Sequence, residues 1–171
     1  MTKAIAILLA GAAIALGQSS ATKAIDSAAQ ALGGKDKILA IQTLSMEGAG
    51  KVYNIGQNPF PEGPLPTWWV AEYKRTIDVA HQRAHTEQHR LAMFPFALAI
   101  DLRLNQNLDG DVAFNINPDG GAQRVAKAVA ADRRIEMLDT PVTIVRAALD
   151  PSAKVGSPRK RGTAEAIDIT T

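Results

Sequence analysis

The chain has 171 residues, 46% of them hydrophobic and 21% charged, with a formal net charge of +2. That balance is globular rather than disordered, suits one domain, and is too weakly basic to argue for a nucleic-acid partner even at a pI of about 9.0. Cysteine is absent, which excludes disulfides, a thiolate nucleophile, a Cys-ligated metal and an N-terminal lipid anchor on Cys.

Export is the first expectation. Lys3 is a short positive n-region, Ala4 to Leu16 is an apolar run, and small residues follow, with Ala15-Leu16-Gly17 or Ser19-Ser20-Ala21 as cleavage frames. Residues 1–21 read as a signal peptide, and 22–171 as a single α+β domain that is periplasmic or secreted. An uncleaved anchor or a buried helix is the alternative, but the run is short for a bilayer core of roughly 30 Å. No stable membrane anchor is expected.

Ala21 to Ala31 has helical spacing through Ile25, Ala28, Ala29 and Leu32, and Gly33-Gly34 ends it. Lys35 to Ala40 adds a turn. From Ile41, Leu44, Met46 and Val52 alternate with polar residues, with Gly48 and Gly50 in phase. Asn54 to Pro66, rich in proline, is a loop. Trp68 to Asp78 predicts a half-buried strand, Trp69, Ala71, Tyr73 and Ile77 on one face and Glu72, Lys74, Thr76 and Asp78 on the other. Arg83 to Arg90 returns antiparallel after a turn near Val79 to His81.

Leu98 to Leu108 alternates again, Asp109-Gly110 marks a hairpin, and Val112 to Ile116 is its second arm. Asn117 to Gly121 is a turn. Beyond Ala122, Val125, Ala128, Val129, Ile135 and Leu138 predict an amphipathic helix with Arg133 and Arg134 outward. Asp139 or Thr140 caps a further helix with Pro141 in its first turn and Val142, Val145, Ala148 and Leu149 inward. Lys154 to Gly162 reads as loop, its Arg159-Lys160-Arg161 triplet solvated. Ala164 to Thr170 reads as a strand. A strand without a partner so near Thr171 suggests a domain incomplete at its C-terminus; a short edge strand is the alternative.

The three histidines, His81, His85 and His89, fall in one stretch. On a helix, residues four apart lie within about 6 Å and can chelate an ion. On a strand the same interval spans roughly 13 Å, which keeps His85 and His89, the only metal candidates, apart. No nucleophile elbow, His-Glu-x-x-His or His-x-His-x-Asp-His run is present, so no catalytic or cofactor-binding residue is assigned. A helix-covered antiparallel sheet bearing Trp68, Trp69, Tyr73, Phe94 and Phe96 could hold an apolar ligand, or these rings could simply be core.

Several stretches in order resemble the N-terminal region of exported bacterial hydrolases of the metallo-β-lactamase fold. They are Tyr53 to Asn58, Pro64-Leu65-Pro66, Tyr73 to Asp78, Arg83 with Glu87-Gln88, Leu108 to Asn115, Asp132-Arg133-Arg134, and Arg146 to Leu149. The resemblance implies a curved antiparallel sheet, a half-barrel of the lipoprotein-carrier type covered by helices. It also implies a metallo-hydrolase domain later in the same polypeptide, and zinc only there. The chain departs from the family by stopping before that domain. The expectation is therefore a non-catalytic accessory domain, a fragment or truncated relative of such a hydrolase. The alternative is a stand-alone periplasmic carrier of a lipid or other apolar ligand.

Overall fold

The computed structural model describes residues 20–94 and 100–171, which form two compact units, Gln42–Met137 and residues 20–41 with 138–171. The elements in chain order are α1 (residues 20–31), α2 (Lys35–Ala40), β1 (Thr43–Tyr53), β2 (Thr67–Asp78), β3 (Arg83–Ala92), β4 (Asp101–Asp109), β5 (Val112–Ile116), β6 (Ala122–Arg124), α3 (Lys127–Glu136), α4 (Pro141–Ala148), β7 (Lys154–Val155), β8 (Arg159–Arg161), β9 (Ala164–Ala166) and β10 (Ile169–Thr170). The expected signal peptide lies outside the described residues but for its last two. Phe96 and the first residues of the strand expected from Leu98 also lie outside them. No helix among the described residues is long and apolar enough to cross a membrane.

The unit Gln42–Met137 is an antiparallel meander of six strands in the order β1-β2-β3-β4-β5-β6, and the sheet is not closed. Tight turns set the order. Gly110 takes a positive φ of 56° between β4 and β5, which glycine adopts without the Cβ penalty, and its N–H bonds Gln82 O in the neighbouring turn. In the β5–β6 turn Asn117 N–H donates to Gly121 O and Asn117 O accepts from Gly120 N–H.

Strand β2 carries one residue more than its neighbours. Val70 pairs with Arg90 and Glu72 with His89, leaving Ala71 unopposed on β3. On the other side Gly48 pairs with Tyr73 and Gly50 with Val70, so Ala49 alone faces two residues. This β-bulge switches the phase of alternation. Trp68 and Val70 therefore share a face with Tyr73, Arg75 and Ile77, and Trp69 turns to the other face, 38% exposed. The expected single period from Trp69 through Ile77 fails at this point.

Helix α3 covers one end of that face. Ile77 is fully buried with Leu108 and Ala113 below Ala130 and Met137. The helix is rotated from the expected stripe: Ile135 is 65% exposed, and Arg133 is buried rather than outward. Arg133 Nη1 donates to Asn107 O (2.8 Å) and Phe114 O (3.0 Å), and Nη2 donates to Asn115 Oδ1 (2.7 Å). A buried guanidinium is tolerable when its donors are met, and here they clamp the helix to two strands. Burial lowers its pKa from the ordinary arginine value, against the pull of Glu136. Strand β6, three exposed residues paired to β5, replaces the expected start of the helix at Ala122.

In the other unit, α1 ends where expected. Gly33 and Gly34 both have positive φ, and Gly34 N–H bonds back to Ala29 O, which satisfies a terminal carbonyl. Thr140 caps α4 through a reciprocal pair with Thr143, ahead of Pro141. Arg146 Nη1 donates to Ile38 O (3.0 Å), tying α4 to α2. The expected loop from Lys154 to Gly162 contains β7 and β8, and the expected strand from Ala164 splits into β9 and β10. The Arg159-Lys160-Arg161 triplet is thus a strand, though an exposed one. The last strand is paired after all, Ile169 with Val155 and Thr170 with Lys154. Arg159 Nη2 meets Asp168 Oδ1 at 2.8 Å and holds that carboxyl below its ordinary pKa.

Two substitutions test this packing. Ile77→Ala should cost about 3 kcal/mol in urea unfolding, as deletion from a closed core does. Arg133→Met should cost about 2 kcal/mol or more, because charge-assisted bonds to three acceptors are lost. A loss for Arg133→Met below about 0.5 kcal/mol, the level of ordinary surface changes, would return that side chain to solvent.

Candidate functional site

The face of the sheet opposite α3 is polar. Register brings its side chains into cross-strand rows: Glu72, His89 and Arg103; Lys74, Glu87 and Asn105; Thr76, His85 and Asn107. A groove of about 410 Å³ runs over the first two rows, with the turn at Ile116 to Pro118 along its side. Its volume is in the range of small-molecule sites, and its lining carries side chains of both charge signs beside Ile116 and Pro118.

One set of side chains in these rows forms a closed hydrogen-bonded ring. Glu87 Oε1, as a carboxylate oxygen, only accepts, so Asn105 turns its Nδ2 toward it (3.4 Å). Asn105 Oδ1 then receives Asn107 Nδ2 (2.7 Å), and Asn107 Oδ1 faces His85 Nδ1 (2.6 Å). His85 Nε2 returns to Glu87 Oε1 at 3.2 Å. Both imidazole nitrogens face oxygen atoms of neighbouring side chains.

The other histidines are engaged separately. His89 Nε2 donates to Asp101 Oδ1 at 2.8 Å. His81 sits in the β2–β3 turn, its Nδ1 donating to Asp78 Oδ2 (2.8 Å) and its backbone N–H to Asp78 Oδ1 (3.1 Å). His85 and His89 share a face of β3 four residues apart, an interval of roughly 13 Å on a strand. Among the described residues no group of three or more His, Cys, Asp or Glu is placed to hold a metal, whereas a zinc site takes at least three such ligands. The residues present do not fit the zinc of the resembled hydrolases.

The apolar-ligand candidates Trp68 and Trp69 fall on opposite faces of the sheet. Trp68 and Tyr73 lie on the α3 side of the sheet, and Trp68 meets Phe94 edge to face, ring centroids 5.4 Å apart. Trp69 is on the polar face, and Phe96 is outside the described residues. An apolar groove does occur elsewhere, in the unit of residues 20–41 and 138–171. It is an open groove of about 610 Å³ whose walls include Ala28, Leu32, Leu138, Pro141, Ile144 and Val145. Sequence reading overlooked the groove residues Lys74, Arg103 and Asn105. The alternation of β2 put Lys74 on the polar face, but only the register shows what stands across from it.

Comparison with known protein families, with characterised proteins and with solved structures finds no match to this chain.

One electrostatic consequence is measurable. The hydrogen bonds from His81 hold the Asp78 carboxyl below its ordinary pKa. A depressed carboxylate pKa adds stability that is present above the ordinary value and is lost as pH falls through the lowered one. Thermal unfolding followed from about pH 6 to about pH 2 should therefore show an acid slope that flattens in Asp78→Asn. An unchanged slope would separate this pair from acid stability.

Proposed function

We propose that this chain is a non-catalytic binding module, exported to the periplasm or secreted. In this reading it is the N-terminal accessory domain of a metallo-β-lactamase-fold hydrolase and positions substrate for it. An open antiparallel meander with a helix across one face agrees with the lipoprotein-carrier-like half-barrel that the resemblance implies. The observation that carries the reading is the polar groove itself. It offers charged and amide groups of both donor and acceptor kind, while the histidines around it are spent on neighbouring side chains. Such a lining suits binding and orientation of a polar ligand. Zinc chemistry belongs to the later domain, and no step is assigned to residues here.

The apolar groove at Leu32, Leu138 and Ile144 favours a second reading, a stand-alone carrier of a lipid or other apolar ligand.

The gene and the purified protein separate the two. The accessory reading expects one polypeptide that also contains a His-x-His-x-Asp-His segment and binds zinc. In that polypeptide, Lys74→Ala with Arg103→Ala should raise KM and leave kcat in place, the signature of lost uniform binding. A reading frame without such a segment, with lipid found by mass spectrometry of the purified protein, decides for the carrier.

A further inference from the structure

We propose that strand β1 is a self-association edge, pairing antiparallel with β1 of a second copy of this chain. Strand β1 is eleven residues long, pairs with β2 alone among the described strands, and contains no buried residue. Every second residue of an edge strand turns its N–H and C=O away from the sheet, and such a row is a template for another strand. Proteins blunt such edges with proline, inward-pointing charge or brevity. Strand β6, the opposite edge, is three residues long. Strand β1 has no proline, and its α3-side residues are Leu44, Met46, Gly48, Gly50 and Val52. The bulge beside it lies in β2, which leaves β1 itself without an inserted residue.

The sequence of β1 is complementary to itself reversed, and this identifies the partner as a second copy. A two-fold axis through Ala49 sets Glu47 opposite Lys51, and symmetry repeats that ion pair. On the other face the same register sets Met46 opposite Val52 twice, and at the centre Gly48 opposite Gly50. Val52 is 37% exposed, so the contact covers apolar surface as well. Shifting the axis by one residue either way removes both ion pairs. An isologous edge-to-edge contact of this kind closes on itself and forms a dimer rather than a fibre. A foreign extended peptide lacks this built-in charge match. The inference stands independently of the proposed function.

Sedimentation of the whole protein over a concentration series tests it, with three variants. The wild type should be a concentration-dependent dimer. Lys51→Glu faces Glu47 with a like charge at two points and should weaken the dimer by about tenfold or more. Glu47→Lys combined with Lys51→Glu restores the opposition and should restore the dimer. Ala49→Cys should give a disulfide-linked dimer in a chain that otherwise has no cysteine, because paired Cα atoms in this register are about 4.5–5.5 Å apart, within disulfide reach. Lys160→Cys, exposed on β8, serves as the collision control. A wild type that stays monomeric overturns the proposal. So does a Lys51→Glu dimer of unchanged strength, a double reversal that stays as weak as the single, or Ala49→Cys cross-linking no faster than the control.

Discussion

The extra residue at Ala71 governs what each face of the sheet can be. Side chains on a strand alternate without exception unless a residue is inserted, so an uninterrupted β2 would put Val70 with Glu72 and Lys74, and Trp69 with Tyr73 and Ile77. The bulge reverses this. It brings Val70 and Trp68 to the face that holds Ile77, and it clears the other face for charge. The neighbour opposite the bulge is Ala49 between Gly48 and Gly50, the three smallest side chains in β1. A β-branched residue there would have to pack against a strand whose spacing has just changed. The small triplet lets β1 follow β2 through the irregularity, and it leaves the outer edge of β1 low and unobstructed.

The α3 side of the sheet is unusual in another respect. Arginines 75, 90 and 133 all point into it, and burial lowers the pKa of Arg90 and Arg133. Removing a guanidinium from water costs several kcal/mol unless its donors are met. Arg133 meets this with two strand carbonyls and an amide oxygen. Arg90 Nε donates to Gln88 Oε1 at 2.6 Å. Arg75 is less well provided: Glu136 lies 4.0 Å from Nη2, and Nε has no hydrogen-bond partner. A helix held by such bonds has one seat. Sliding α3 by a residue would strand a buried charge, whereas an apolar contact of the same area would tolerate the shift. The rotation of α3 away from its apolar stripe follows, since Arg133 gains more from carbonyls beneath the helix than Ile135 loses at the surface.

Much of the fold was legible because local chemistry and tertiary structure agree. Leu44, Met46 and Val52 alternate and do share a face; Asp109-Gly110 turns; Gly33-Gly34 ends α1; Thr140 and Pro141 open α4. The failures share a cause. An inserted residue, a three-residue strand such as β6 and a buried arginine are all invisible to periodicity, because each depends on a partner distant in sequence. The hairpins after Pro151 are two and three residues a strand, too short to carry any period. The same division holds at the site. The separation of His85 from His89 follows from strand rise alone. The ring through Glu87, Asn105 and Asn107 requires the register of β3 on β4, which one sequence does not contain.

The bulge also bears on which ligand the molecule can take. A carrier cavity built from all the aromatic candidates needs them on one surface, and the inserted residue divides Trp69 from Trp68 and Tyr73. Trp68 is further committed to Phe94, and edge-to-face pairing of this kind is a packing contact. An apolar ligand is left with the groove between α1 and the start of α4, in the other unit, where no aromatic side chain lines the wall. The polar face meanwhile presents Glu72, Lys74, Glu87 and Arg103 within one groove. A ligand gains by matching these charges, and an apolar one loses by burying them. The polar face thus presents charge and hydrogen-bonding groups, and the phase switch at Ala71 is what puts Trp69 on that face beside them.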